Sequence, residues 1–218
     1  GLHVIFQKPM TTNYEEEKIL REIKKTTQCK FAVTYTYSGY PMLRQMRKMI
    51  QAGALGPIQK VDVQYYQGWI NTVLHDPEQR SSTWRLDPEK SGISCCVGDI
   101  GTHAFHMLEF VSGLKVSSVL SDLNFVKSDN KMDVDATILL RLNNLVKGVI
   151  CTSQIATGEE NSLIIKIYGD KAGLKWEQEN PNYLYLMEEG KPLQVLKPGH
   201  EYNFDVTLNS SKLPPGHE

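Results

Sequence analysis

Hydrophobic and polar positions divide this chain into two kinds of periodicity. Leu2 to Phe6 is a short apolar run that reads as a strand and is closed by Gln7-Lys8-Pro9. From about Tyr14 to Thr26, the apolar residues Ile19, Leu20 and Ile23 fall at helical spacing, with Thr11 and Thr12 as caps. "KFAVTYTY", Lys30 to Tyr37, is β-branched and aromatic and predicts a second strand. "SGYP" turns the chain, and Met42 to Ala52 predicts a second helix stopped by Gly53. Strand, helix, strand, helix is the order of an α/β layer.

After Gly56-Pro57 the period changes. "IQKVDVQYYQGW" alternates as a long strand from Ile58 to about Trp69. An irregular polar segment holding Trp84, Arg85 and Asp87-Pro88 runs to Gly92, and a helix follows from about Val97 to Val111, ended by Ser112-Gly113. Strands are then predicted at Val116 to Val126, Asp133 to Leu142, Leu145 to Thr157, Ser162 to Tyr168, Gly173 to Glu179, Tyr183 to Met187 and Leu193 to Leu196. "LNNLVKG" and "EEGKP" read as turns, and strands joined by short turns run antiparallel. The expected fold class is α+β. A partial α/β layer, residues 1–56, precedes a large, mostly antiparallel sheet covered by helices on one face, residues 57–218.

The formal net charge of −1, with 40% hydrophobic and 22% charged residues, fits a soluble globular protein. It points to no nucleic-acid or membrane partner. Lys24 with Lys25, and Arg44 with Arg47 and Lys48, read as solvated helix faces. No apolar run approaches the ~20 residues of a membrane span, and the start carries no signal-peptide pattern. Four cysteines without a CxxC pair fit a reduced, cytoplasmic protein. The chain opens on an apolar strand and closes on "KLPPGHE", so it is expected to be a piece of a longer polypeptide.

The candidate chemistry lies in "DIGTHAFHMLEF", residues 99 to 110. Spacings of four and three put Asp99, His103 and His106 on one side of a helix whose Ile100, Ala104, Met107, Leu108 and Val111 face a core. Such groups are costly to bury unpaired. Asp99, following Gly98, also reads as a helix cap, and His103 as a satisfied core histidine. Asp99, His103 and His106 are chemically adequate as metal ligands, although no HExxH motif or remote acidic ligand accompanies them.

The order "HVIFQKPM", "AGALGPIQKV", "WRLDP", "GDIGTHAFHMLEFVSG" and "IIKIYGDKAGLKW" resembles the Gfo/Idh/MocA family of nicotinamide-dependent sugar and polyol oxidoreductases. The resemblance implies that residues 1–56 are the end of a Rossmann-like dinucleotide-binding domain and residues 57–218 a substrate-binding and oligomerisation domain. Lys8, Asp99 and His103 match the family's catalytic set. His103 would be the general acid/base, Lys8 a hydroxyl donor or proton relay, and Asp99 an anchor for a substrate hydroxyl or the imidazole. Lys8 and Pro9 would lie at the cofactor. Trp84, Arg85 and His106 would contact substrate, and Tyr35, Tyr37, Tyr66 and Trp69 would line the cleft or the sheet core. No metal is implied. The cofactor would be NAD or NADP, although the sequence holds no GxGxxG after a strand. The expected partners are a small sugar or polyol and further copies of the chain, a dimer or tetramer through the sheet. Two positions depart from the family pattern: Gln7 stands where an acidic residue is usual, and His106 where many members have aspartate. The 218 residues alone are expected to be inactive. The alternative is a non-catalytic sugar-binding or oligomerisation module.

Overall fold

The computed structural model describes residues 1–76, 78, 83–125, 132–211 and 214. Strand β1 (Val4–Phe6) and strand β2 (Phe31–Val33) pair in parallel, with helix α1 (Tyr14–Thr26) crossing between them. The cap of α1 is Asn13, not Thr11 or Thr12. Its side chain accepts the Glu16 N–H at 3.0 Å, and the Glu16 carboxylate accepts the Thr12 N–H at 3.0 Å. That reciprocal pair satisfies two N–H groups at the helix start.

The expected strand over Lys30 to Tyr37 is shorter. Beyond Val33 the chain tightens, with the Tyr35 N–H returning to the Val33 carbonyl and a 3₁₀ turn at Thr36–Gly39. That turn carries Tyr37 and Tyr40 onto the main core. Pro41 then opens helix α2 (Pro41–Gln51), where its missing N–H costs nothing.

Strand β3 (Ile58–Tyr66) follows, and it ends before Trp69 because Trp69 begins helix α3 (Trp69–His75). A 3₁₀ turn at Trp84–Leu86 and the one-turn helix α4 (Pro88–Ser91) stand in the segment expected to be irregular. The next helix opens with a π turn at Val97–Gly101 and continues as α5 (Thr102–Ser112). Gly113 closes it at φ +74°, its N–H on the Glu109 carbonyl.

Strands β4 (Val116–Asn124), β5 (Asp135–Leu142), β6 (Lys147–Ser153), β7 (Ser162–Gly169), β8 (Gly173–Glu177), β9 (Leu184–Met187) and β10 (Gln194–Leu196) complete one sheet. Its order is β10-β9-β8-β7-β3-β6-β5-β4, antiparallel except for the central β3–β6 pair. A short helix α6 (Asp205–Leu208) packs near α2, where the buried Gln45 side chain accepts the Phe204 N–H at 2.9 Å. The ends of the expected strand at Val126 and of the closing Pro-Gly turn lie outside the described residues.

Helices α2 and α5 cover one face of the sheet. Met42, Leu43 and Met46 of α2 and Ala104, Met107, Leu108 and Val111 of α5 bury against Val63, Ile138, Leu140, Ile150, Ile165 and Trp176. Each fully buried large side chain contributes about 1.5–3 kcal/mol. Among the described residues no helix covers the opposite face, where Leu120 is paired across from Leu139 and both are exposed. All four cysteines are free thiols. Among the described residues no helix is long and apolar enough to cross a membrane.

Candidate active site

The site forms where β1 ends above the start of α5. Lys8 leaves the carboxyl end of a parallel strand, the place where α/β layers present ligands. Its ammonium donates to Asp99 Oδ1 at 2.6 Å and to the Asp99 carbonyl at 2.7 Å. Both side chains are largely withdrawn from solvent, at 16% and 23% exposure, so the pair is screened less than a surface salt bridge. Asp99 lies inside the π turn. Widened turns of this kind shift side chains out of α-helical register and recur at functional sites. Asp99 therefore does not cap the helix.

The cap function falls to residues that the sequence does not single out. The buried Asp133 carboxylate accepts the Cys95 N–H at 3.0 Å and the Val97 N–H at 2.7 Å, and Ser94 Oγ accepts the Gly98 N–H at 2.8 Å. A carboxylate facing the first N–H groups of a helix is favourable on charge as well as geometry. These contacts fix the turn that aims Asp99.

The second Asp99 oxygen is held from two sides. Gln154, fully buried, donates from Nε2 to Oδ2 at 3.0 Å, and Arg85 Nε stands 3.5 Å from the same atom. The Arg85 guanidinium lies 4.6 Å over the Trp84 ring and 5.8 Å from the Trp69 ring. The Gln154 carbonyl accepts from the Cys95 thiol, whose pKa burial pushes up to about 12, so the sulfur remains a donor.

His103 is buried on α5 behind three tyrosines. Tyr37 meets it edge-on at 4.9 Å between ring centroids, Tyr35 at 5.9 Å, and Tyr65 lies tilted at 6.4 Å. Its Nδ1 has no hydrogen-bond partner. Burial pushes its pKa down to about 4, the Lys8 charge adds to the depression, and Asp99 opposes it. The ring is therefore neutral at pH 7.

The structure thus brings Lys8, Asp99, Arg85 and Trp84 together and sets His103 beside them. His106 lies on the far side of Tyr35 from this group: it stacks on Tyr35 at 4.0 Å and on Phe110 at 5.7 Å, with Arg47 above Phe110 at 4.3 Å. Of the expected cleft aromatics, Tyr35, Tyr37 and Trp69 line this region. Tyr66 belongs to the opposite face of the sheet, because strand alternation puts its neighbour Tyr65 inward. Among the described residues no group of three or more histidine, cysteine or acidic side chains is arranged for a metal ion.

A sequence profile of the GFO/IDH/MocA C-terminal domain matches residues 43–175. An uncharacterized oxidoreductase of Bacillus subtilis, YfiI, is 33% identical over 98% of this chain and 55% of its own length. Glucose-6-phosphate 3-dehydrogenase of the same organism is 26% identical over 85% of this chain and 53% of its own length. Among solved structures, an inositol dehydrogenase homolog from Azotobacter vinelandii in complex with NADH and myo-inositol superposes with a TM-score of 0.88. It is 30% identical and covers 99% of this chain and 55% of that one. The chain spans about half the length of the relatives it matches.

Proposed function

The chain belongs to the GFO/IDH/MocA family of oxidoreductases, and from that premise we propose that it carries the substrate side of a nicotinamide-dependent dehydrogenase acting on a sugar or polyol hydroxyl. The single observation that carries this reading is the Lys8–Asp99 ion pair beside a neutral, buried His103. On this reading residues 1–56 lead out of the cofactor domain, their helix α2 already packing on the large sheet, and residues 57–218 form the substrate and assembly domain.

The donor set fits the reacting end of a nicotinamide. Lys8 and Pro9 stand at the carboxyl end of a parallel strand next to the proton-handling groups. No glycine-rich phosphate cradle occurs in the sequence. When bound, NAD or NADP supplies the hydride acceptor. His103, unprotonated at neutral pH, takes the hydroxyl proton as general base. Lys8 and Arg85 place two positive charges where the oxygen develops negative charge, and preorganised charge of this kind is among the larger catalytic terms. Asp99, fixed through both oxygens, holds Lys8 in place and orients a neighbouring substrate hydroxyl. The Trp84 ring, half exposed beside Arg85, offers an apolar face to the C–H side of a sugar ring.

The uncovered sheet face, with Leu120 and Leu139 exposed, supports self-association as a dimer or tetramer. The four free thiols support a cytoplasmic setting.

The test follows NAD(P)H formation with myo-inositol and a panel of hexoses. It compares the 218-residue chain with the same chain joined to its encoded upstream residues. The longer protein turns over and the short chain does not, and His103→Asn lowers the rate by about 10²–10⁴-fold. Sugar binding without turnover in the longer protein would instead favour a non-catalytic sugar-binding module.

A further inference from the structure

The sheet register places three amide side chains in one row. Tyr66 pairs with Ser153 on one side and with Ser162 on the other, so the next step brings Gln67 level with Gln154 and Asn161. All three follow the inward-facing alternation of their strands, on the side that α5 covers. Gln154 Nε2 binds Asp99 at one end of the row, and Gln67 Nε2 donates to Asn161 Oδ1 at 2.9 Å.

At the other end Asn161 closes a ring with two tyrosines. Tyr65 OH donates to Asn161 Oδ1 at 2.6 Å, and Asn161 Nδ2 donates to Tyr37 OH at 3.2 Å. The two hydroxyls are 2.6 Å apart. Each hydroxyl has one proton. Since that of Tyr65 goes to Asn161, that of Tyr37 goes to Tyr65. The flipped amide would also close the ring, but it would set Nδ2 against the Gln67 Nε2 donor, so Oδ1 faces Tyr65 and Gln67. The Asn161 backbone is pinned as well, the carbonyl accepting the Leu163 N–H at 2.9 Å.

Tyr37 and Tyr65 are two of the three aromatic walls of His103. We propose that Asn161 is a positioning residue for His103: by locking the Tyr37–Tyr65 hydroxyl pair it holds both rings against the imidazole and keeps water from its buried side. The inference rests on the reading of His103 as general base. A fully satisfied polar ring in a low-dielectric setting is rigid, and removing one member releases the others. The groups facing the imidazole are Lys8 and Asp99 at the site, His106 on its own helix, and Tyr35, Tyr37 and Tyr65 from the opposite elements. Loosening the tyrosines admits water, which favours the charged ring.

The test is the NMR titration of the His103 ring C–H signal, assigned with His103→Asn, in the chain without cofactor or substrate. Wild-type protein titrates near pH 4. Asn161→Ala raises the midpoint by about one pH unit, toward the value of a hydrated imidazole. Tyr37→Phe keeps the aromatic wall but opens the ring of hydrogen bonds, and gives a smaller rise in the same direction. A folded Asn161→Ala or Tyr37→Phe protein with an unmoved midpoint would overturn the proposal, even if its melting temperature fell. The titration needs no turnover, so a failure of the dehydrogenase reading shows separately, as an absence of NAD(P)H formation by the longer wild-type protein.

Discussion

Helices α1 and α5 have comparable lengths and legible patterns, yet they live in different surroundings. Helix α5 buries His103, Ala104, Met107, Leu108, Val111 and Ser112, whereas α1 buries no residue. Ile19 and Ile23, the stripe that defines α1, remain 60% and 47% exposed. What α1 has instead is surface electrostatics. Glu15–Lys18, Glu17–Arg21 and Glu22–Lys25 pair along its exposed side, with acids in the first turn and lysines in the last. Such exposed pairs are screened by water and hold the helix only weakly. An amphipathic period therefore tells where a helix forms and says nothing about how strongly it is held. The candidate site spans this contrast: Lys8 belongs to the lightly packed layer, while Asp99 and His103 belong to the dense one.

Leu108→Ala removes a fully buried side chain between α5 and the sheet and lowers unfolding free energy by about 2–5 kcal/mol in a denaturant titration. A loss below about 1 kcal/mol would show that α5 does not anchor the sheet.

Acid comes next. The His103 pKa is depressed in the folded state to about 4 from an ordinary 6.5, so the folded protein disfavours a proton that the unfolded chain accepts. The stability from this group is complete above pH 6.5 and is lost as pH falls through 4. The loss is on the order of 1–3 kcal/mol once solvent screening at the cleft is included. His103→Asn flattens that part of the stability-versus-pH curve, and an unchanged slope between pH 6.5 and 4 in the variant would contradict the assignment.

The smallest effect belongs to the exposed helix. Ile19→Ala changes global stability by no more than about 0.5 kcal/mol, because the residue is already in water and alanine favours a helix. A loss comparable to that of Leu108→Ala would mean that α1 is buried against something in solution.

Much of this was legible in the chain. The change of period after Gly56-Pro57, the helix that carries His103 and the strands from Val116 onward all rest on local periodicity, and the fold follows them, whereas the π turn around Asp99 leaves no mark in it. The Lys-Pro and Gly-Asp-x-Gly-x-His segments carried the family resemblance, and the profile match over residues 43–175 agrees with it. The residues around the site were not legible. Gln67, Gln154 and Asn161 sit just past the ends of three strands, where one amide looks like any turn residue, and only the register of β6, β3 and β7 sets them in a row. Asp133 precedes its strand with no signal that its carboxylate reaches back to the start of a helix 36 residues earlier. Tyr65 and Tyr66 are adjacent and chemically alike, and a one-residue choice of face decides which of them meets His103.

The Lys8–Asp99 pair joins the light layer to the dense one and so assembles the site. Hydrogen exchange of the Val4–Phe6 and Phe31–Val33 amides, compared between wild type and Asp99→Asn, tests it most directly. Faster exchange is expected in β1 and β2 of the variant, with the amides of Val63 and Ile165 at the sheet centre unchanged. Equal rates in β1 and β2 for both proteins would contradict it, because the layer would then be held without the ion pair.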